Sequence, residues 1–501
     1  MLLDWALAAF PVALLLVLMV GFRWGAAKAG PAGWLVATIL ATFRFGAGIQ
    51  LLGVAHAKAL LLALDVLFII WGAFLLYRVA DEAGAVEVIS RFLPQLYKDR
   101  GMQALLIGWP FASFLQGVGG FGVPVAVTAP LLIGLGFGPI QAMLIPSLGH
   151  AWSVTFGSLG SSFQALIGAT GVPGEQLAPA AAGLLGVAAF GCGILAAHAA
   201  GSRAAILRLA GPLLLIGAVM AGVQYWLATH RLWHLAGFGG SLAGLLVGLF
   251  FARRPTGDQT LRPLGLALAA YLALILITLA VQLIPPLEQG LGRVQIRFDF
   301  PEVQTDLGFI TPAGPGRIIP IFRHAGALLG YASLVGYLVY RQTGRYQAGA
   351  LGRIVEGTVS RVAPASLSVL ALVSMAVVMA HAGMTERLAG GLAQAAGRAY
   401  PVLATWIGAL GAFITGSNTN SNVIFGQLQL RTAQLLGYRV PVLLAAQTAG
   451  GAIGSVLAPS KIVVGASTAG LEGREGEVLS RLLGYCGVLL AALSLIVALT
   501  A

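Results

Sequence analysis

The chain reads as an all-α polytopic membrane protein on three observations. Of its 501 residues, 58% are hydrophobic and 9% charged, with a mean hydropathy of +0.90; a soluble domain carries roughly 25% charge. Apolar runs of about 18 residues or more recur along the whole length, as a ~30 Å hydrocarbon core requires. Two further regions, 101–172 and 401–466, are apolar but broken by polar and glycine-rich stretches at matching places. The net charge of +12 sits in the loops between apolar runs, so it points to no nucleic-acid partner. Cys192 and Cys486 both lie in apolar runs without metal-ligand spacing, which argues against a disulfide framework. The first run, Leu2–Phe22, carries Asp4 near its start and no small-residue cleavage site, so it reads as a retained helix rather than a signal peptide.

Uninterrupted spans are expected over 5–22, 33–55, 59–80, 178–200, 209–229, 235–252, 263–285, 321–341, 364–381 and 479–500. With the N-terminus placed outside, 17 of the 29 Lys and Arg fall in inner loops, which favours an N-out, C-out orientation. The segment 286–320 mixes Pro, acids and Arg and reads as an external loop. Stretches 82–98 and 345–361 carry charge at mixed spacing and read as interfacial helices on the inner side, or as plain solvated loops.

The interrupted regions share one order of features. In the first, an arm (103–115) meets QGVGGFGVP, an arm (125–135) follows, and the next apolar segment is broken by GHAWSVTFGSLGSS. In the second, an arm (402–414) meets TGSNTNSN, an arm (423–436) follows, and the next segment is broken by GGAIGSVLAPSK. The tips near Gly120 and Asn418 are offset by 298 residues, and the breaks near Thr155 and Ser455 by 300. Two irregular features at one offset argue for an internal duplication. Arms of about 12–14 residues are too short to cross a bilayer. Each pair is therefore expected to be a re-entrant helical hairpin, one opening inward and one outward, so that the repeats are inverted. Such repeats with broken helices meeting near the midplane are an architecture of secondary transporters. The corresponding division is 1–100 (scaffold helices), 101–172 (first hairpin and broken helix), 173–400 (scaffold, with the external loop), 401–466 (second hairpin and broken helix) and 467–501 (C-terminal helix).

Unpaired backbone in hydrocarbon is costly, so such tips persist only where protein buries them or water reaches them. TGSNTNSN is expected to be a loop at a hairpin tip, offering Ser417, Asn418, Thr419, Asn420, Ser421 and Asn422 as polar ligands. An arm starting there directs its N-terminal N–H groups at the site, which favours an anion. Gly119, Gly120 and Gly122 at the first tip leave room for close backbone approach. Polar groups that only cap and glue helices are the plainer alternative.

These stretches resemble the bacterial L-lactate permease family. The resemblance is carried by FLQGVGGFGVPVAVTAPLLIGLGF (114–137), FGSLGSS (156–162), GAFITGSNTNSNVIFGQLQ (411–429), GGAIGSVLAPSKIVV (450–464) and TAGLEGREGEVLSR (468–481). It implies import of L-lactate, often also of D-lactate or glycolate, with protons across the bacterial cytoplasmic (inner) membrane, and no metal or organic cofactor. It also implies an ion-transporter-superfamily-like fold of elevator type, in which paired hairpins move against a fixed scaffold. The chain departs from the family pattern at several positions. Gln116 stands where members often have an acid, and Asn418 and Asn420 stand in a stretch that often reads GSDTSSN. HAWSVTFG (150–157) replaces a common NTAPVAFG, Ser455 replaces a Lys, and APSK (458–461) replaces SPQS. Two acids and a Lys are thus absent, while His150 and Lys461 are added.

Intramembrane ionisable residues are candidates for function by default. Lys461 pairs with a substrate carboxylate, with a structural partner, or snorkels to an interface; the sequence leaves all three open. His150 is the first candidate for proton coupling, because an imidazole titrates near neutrality, and Gln116 and Asp65 complete the coupling candidates. Arg44 and Asp65, on consecutive expected helices at similar depth, are expected to form a buried ion pair. Phe121 and Trp152 bound the substrate's apolar end, and Thr155, Ser158, Ser455 and Ser460 complete the binding set. The reading is a symporter of a small 2-hydroxymonocarboxylate. The alternative is a carrier for another small anion, coupled to Na⁺ through amide and hydroxyl oxygens. A channel shares wet, broken helices but requires a continuous polar path, which single-channel conductance would reveal; an enzyme requires clustered acids, a nucleophile–base pair or metal ligands, and the scattered His and acids make none of these patterns. The oligomeric state stays open.

Overall fold

The computed structural model describes residues 2–22, 24–92, 97, 99–120, 122–251, 262–471 and 474–501. It is 82% helical, and among the described residues six two-residue strands pair as one antiparallel ribbon. α1 (Leu2–Leu16) runs into a π-helical turn, and α2 (Ala26–Phe43) returns beside it. α3 (Ile49–Glu82) is 34 residues long, and the short amphipathic α4 (Ala85–Phe92) follows it. α5 (Arg100–Leu106), a π-helical turn (Ile107–Phe111) and α6 (Ala112–Val118) form one arm, and α7 (Val123–Gly134) the other. α8 (Pro139–His150) and α9 (Gly157–Thr170) flank an irregular break. Then come α10 (Gly174–Arg208), α11 (Ala210–Thr229), α12 (Trp233–Phe250), α13 (Arg262–Ala267), α14 (Ala269–Leu283) and α15 (Pro285–Gly292). α16 (Ala325–Gln342), α17 (Ala350–His381) and α18 (Met384–Ala396) precede the second arm pair, α19 (Tyr400–Thr415) and α20 (Asn418–Leu436). α21 (Val440–Ser455), a second break, α22 (Pro459–Ala469) and α23 (Glu475–Thr500) end the chain.

Among the described residues, five helices are long and apolar enough to cross a membrane: α3, most of α10, α11, α17 and α23. The α14–α15 pair, bent by 92°, makes a sixth if counted as one span. The other expected spans are present as shorter or less apolar helices. Two boundaries differ from the expectation. The break between the second and third spans falls at 44–48, not at 56–58. Gly46, at φ 70°, makes that turn, while His56 and Lys58 remain helical. His56 accepts from Trp34 Nε1 at 2.8 Å, and Lys58 lies 5.5 Å from the Phe300 ring. The stretch 350–361 is no separate interfacial helix but the start of α17, whose Arg353 pairs with Glu82 at 2.7 Å. Of the stretch 82–98, α4 is helical, and 93–96 and Lys98 lie outside the described residues.

That shift undoes one expected pair. Arg44 ends α2 and pairs with Asp4 of α1. Asp65 lies 16 residues into α3, about 24 Å along its axis, and has other partners. The Arg44–Asp4 pair is solvent-facing, and such pairs contribute at most ~1 kcal/mol. Arg44→Ala is therefore expected to leave the melting temperature of the solubilised protein nearly unchanged, measured by thermal shift.

α2, α3, α16 and α17 pack side by side, with α14 outside α16. A larger apolar core joins the first arm pair, α8, α10–α12, α19, α21 and α23. α20 packs on α9, α17 and α21, and α9 touches α3, so the two groups of helices meet there. The segment expected as an external loop forms α15 and a long antiparallel ribbon. Its pairs are β1 (Gln295–Ile296) with β6 (Ile319–Pro320), β2 (Asp299–Phe300) with β5 (Gly314–Pro315), and β3 (Val303–Gln304) with β4 (Ile310–Thr311). The ribbon lies against the N-terminal half of α3, where the Asp306 N–H donates to the Gly46 carbonyl at 2.8 Å.

Candidate functional site

The polar stretch between the second pair of arms is mostly helical, not an open loop. Gly416 ends α19 in a left-handed conformation at φ 73°, and Ser417 caps α20, its Oγ accepting from the Asn420 N–H at 3.3 Å. A serine cap satisfies one orphan N–H and starts the helix one residue later. Asn418 to Asn422 therefore form the first turn of α20, and their side chains face several different elements.

Asn418 and Asn422, four residues apart, share one face. Asn418 Nδ2 donates to Thr155 Oγ1 at 3.1 Å and to the Thr448 carbonyl at 3.2 Å. Asn422 Nδ2 donates to the Ser162 carbonyl and to Thr448 Oγ1, both at 2.9 Å. Thr155 Oγ1 donates to the Thr448 carbonyl at 3.0 Å, and the Ser162 and Thr419 hydroxyls are 3.0 Å apart. Asn420 points elsewhere, donating to Ser368 of α17 at 3.2 Å. Ser421 joins a polar chain that locks three helices. Tyr400 donates to Gln429, Gln429 to Gln447, and Gln447 to Ser421, at 2.8, 3.1 and 3.0 Å. All of Asn418 to Asn422 are buried. Their three amide oxygens nevertheless have no partner, and buried acceptors of that kind are normally satisfied.

The first tip interlocks with the first break. Ser158 and Leu159 are left-handed at φ 45° and 53°, a conformation that costs roughly 1–2 kcal/mol per non-glycine residue. Ser158 Oγ occupies the space a Cβ at Gly120 would take, 2.1 Å from it. Gln116 lies against Gly157, and its Oε1 is buried without a partner. Gly119 packs on the Tyr77 ring, and Gly122, at φ 90°, starts α7. Phe121 lies outside the described residues.

Other candidates separate from this cluster. Trp152 is fully buried and donates from Nε1 to Ser113 at 2.9 Å. Ser455 turns its hydroxyl back onto the Ala452 carbonyl at 2.8 Å, which serves α21 alone. Ser460 lies in the first turn of α22. Lys461, in the same turn, meets His150 and Gly122 around a void of about 10 Å³, room for a single water. His150 Nδ1 lies 2.6 Å from the Pro146 carbonyl. Asp65 lies in another cluster, bound to Arg317, His324 and Gln164. Among the described residues, no three His, Cys, Asp or Glu side chains group as a metal site.

Thr448, Ser162 and Gln447 were missed in the sequence. Thr448 and Gln447 sit in AAQTAGG, an apolar helix to any hydropathy window, and only their position just before the second break marks them.

The family profile described as L-lactate permease matches residues 4–263 and 320–501. An L-lactate permease of Streptococcus iniae is 26% identical, over 76% of this chain and 80% of that protein. That of Bacillus subtilis is 27% identical, over 82% of this chain and 80% of that protein. The glycolate permease GlcA of Escherichia coli is 24% identical, over 94% of this chain and 91% of that protein. Among solved structures, the YdaH transporter of Alcanivorax borkumensis aligns at a TM-score of 0.46 with 15% identity, covering 86% of this chain and 84% of that one.

Proposed function

The chain belongs to the L-lactate permease family, a multi-pass membrane transporter rather than an enzyme, and from that premise we propose that it imports L-lactate or a similar small 2-hydroxymonocarboxylate together with protons. The observation that carries the proposal is the buried cluster where α20, α21 and the first break meet. Its hydroxyls and amides come from both halves of the chain. A carboxylate would meet the N–H groups at the start of α20 and the hydroxyls of Ser417, Thr419 and Ser421, which must first turn from their present partners Asn420, Ser162 and Gln447. Asn418 and Asn422 suit the substrate hydroxyl. A relative named for glycolate agrees with a 2-hydroxy acid as the substrate class.

The two arm pairs act as re-entrant hairpins of inverted repeats. Similar close crossings in both halves support this. A Cβ at Gly149 would lie 1.9 Å from the Gly108 carbonyl oxygen, and one at Gly450 would lie 1.8 Å from that of Thr405. The hairpins and broken helices move as a transport unit against α2, α3, α16 and α17. The membrane is the bacterial cytoplasmic membrane, with both termini outside. Of the coupling candidates His150, Gln116 and Asp65, the Gln116 amide carries no titratable proton, so the proton goes to His150, beside Lys461, or to Asp65. A second reading, Na⁺ coupling, draws on the unpartnered amide oxygens of Asn418, Asn420 and Asn422, which suit a hard cation.

The test is uptake of radiolabelled L-lactate into proteoliposomes under separate pH and Na⁺ gradients. Uptake driven by an inward proton gradient is expected. Stimulation by Na⁺ alone selects the second reading. No uptake by protein with a normal melting transition removes lactate as the substrate.

A further inference from the structure

A second polar cluster lies midway along α3. Asp65 is 1% exposed. Its Oδ1 lies 3.0 Å from His324 Nε2, and its Oδ2 accepts from Gln164 Nε2 at 3.0 Å. Arg317 Nε stands 3.0 Å from Oδ2 but makes no aligned hydrogen bond. His324 is held on its far side. Its Nδ1 accepts the Gly326 N–H at 3.2 Å as the cap of α16, and its ring stacks on Phe68 at 4.9 Å. With Nδ1 an acceptor, the ring proton sits on Nε2 and faces Asp65.

This cluster borders a cavity of about 480 Å³ beside the ribbon. The other charged residues lining it are paired, Arg231 with Glu175 at 2.8 Å and Arg323 with Glu288 at 2.7 Å. His234 Nε2 and Thr278 Oγ1, also in the lining, are buried without a partner. Arg317 is 28% exposed and lines a neighbouring cavity of about 440 Å³ as well, which reaches Val423, the residue after Asn422. Arg317, at 28% exposure against 1% for Asp65, is the group more open to a small solute, although Asp65 also lines the first cavity and Lys58 and His381 line the second. Arg317 also lies outside the residues matched by the family profile.

We propose that this cluster is a docking site for the monocarboxylate at which the substrate takes Arg317 from Asp65 and Asp65 binds a proton. The proposal rests on the reading of the protein as a proton-coupled carboxylate carrier. A guanidinium binds a carboxylate through paired N–H groups, and its poor alignment on Asp65 leaves it free to turn. Its departure strands a buried anion, which is costly. A proton on Asp65 restores neutrality while Gln164 and His324 stay in place. One anion and one proton have entered, so the occupied cluster has the same net charge as the empty one. The unpartnered His234 and Thr278 atoms offer polar contacts to a 2-hydroxyl group. Gln164 also ties the cluster to the hairpin: Ser162, two residues earlier on α9, bonds Thr419 and Asn422.

The experiment compares wild type, Asp65→Asn, Arg317→Gln and the double variant in proteoliposomes. In D65N, stimulation of L-lactate uptake by an inward pH gradient is expected to vanish, while exchange of external for internal L-lactate persists at a reduced rate. In R317Q, KM for L-lactate is expected to rise at least tenfold. Wild-type protein in weak buffer takes up about one proton per L-lactate bound, read with a pH indicator, and the double variant takes up none. The double variant leaves no buried charge unpaired, so it stands in if either single variant fails to fold. Full gradient stimulation in D65N, an unchanged KM in R317Q, or proton uptake by the double variant equal to wild type overturns the docking site and leaves the carrier reading intact. Absence of any wild-type L-lactate uptake removes lactate as the substrate instead. Acetate then serves as the probe, and no acetate-evoked proton uptake by wild type overturns the docking site too.

Discussion

Gly450→Ala is expected to collapse the yield of folded protein. α19 and α21 cross with their backbones almost touching. The added methyl would lie 1.8 Å from the Thr405 carbonyl oxygen, 2.7 Å from its carbon and 3.0 Å from its Cα. All three are backbone atoms, so no side chain can rotate away and the helices themselves must separate. Overpacking a core commonly costs 1–3 kcal/mol, and a rigid obstacle places this variant near ~3 kcal/mol or above. The polar chain from Tyr400 to Ser421 depends on the same crossing. Gly484→Ala is the control: it lies exposed on α23 with nothing within 4 Å of an added Cβ. Alanine there is expected to be neutral or slightly stabilising through helix propensity. Size-exclusion profiles and melting temperatures of both solubilised variants decide the matter. A Gly450→Ala protein as stable as Gly484→Ala would mean that the two helices are not so close.

Asn418→Ala is expected to cut L-lactate uptake by about 10- to 100-fold while the protein stays folded. The amide joins Thr155, on the first break, to Thr448, on α21. Truncating a buried donor leaves its acceptors short and costs ~1–3 kcal/mol, and each 1.4 kcal/mol is a factor of ten. Thr448→Val removes the hydroxyl that Asn422 and Thr155 reach at 2.9 and 3.1 Å, keeps the carbonyl that Asn418 reaches, and should give a similar loss. The readout is the initial rate of uptake, normalised to the amount of folded protein at an assay temperature below the melting transition of each variant. A rate within about twofold of wild type for both variants would take the hairpin tip out of the substrate path.

Much of this architecture was legible because irregular features stand out in an oily chain. GVGGFG and TGSNTNSN can continue no ordinary apolar helix, and both coincide with helix ends in the fold. GSLGSS was readable as a break, though not the left-handed Ser158 and Leu159. The neighbours of TGSNTNSN were not readable. Thr448 reads as one hydroxyl in an apolar helix, and helices tolerate threonine anywhere its hydroxyl bonds a preceding carbonyl. Two partners of Asp65, Arg317 and His324, lie some 250 residues away, within and just after a ribbon whose strands are two residues long and have no periodicity to detect, and the third, Gln164, is 99 residues away on α9. The expected Arg44–Asp65 pair failed for a local reason. Gly46 turns the chain ten residues earlier than the polar His56-Ala57-Lys58 suggests, and Asp65 then lies deep in α3.

The bonds across the candidate site also set a timetable for its making. Thr155 and Thr448 are 293 residues apart, and Ser162 and Asn422 are 260 apart. At about 5–20 residues per second of synthesis, Thr155 waits roughly 15 to 60 s for its partner to leave the ribosome. Through that interval the nascent first half sits in or beside the bilayer with a broken helix whose polar groups have no mates. Water, lipid headgroups or the insertion machinery must serve them until the second half arrives. The newborn chain is thus most exposed to quality-control proteases between the emergence of α9 and that of α21. Synonymous codons that slow translation of that stretch lengthen the exposure without altering a single residue.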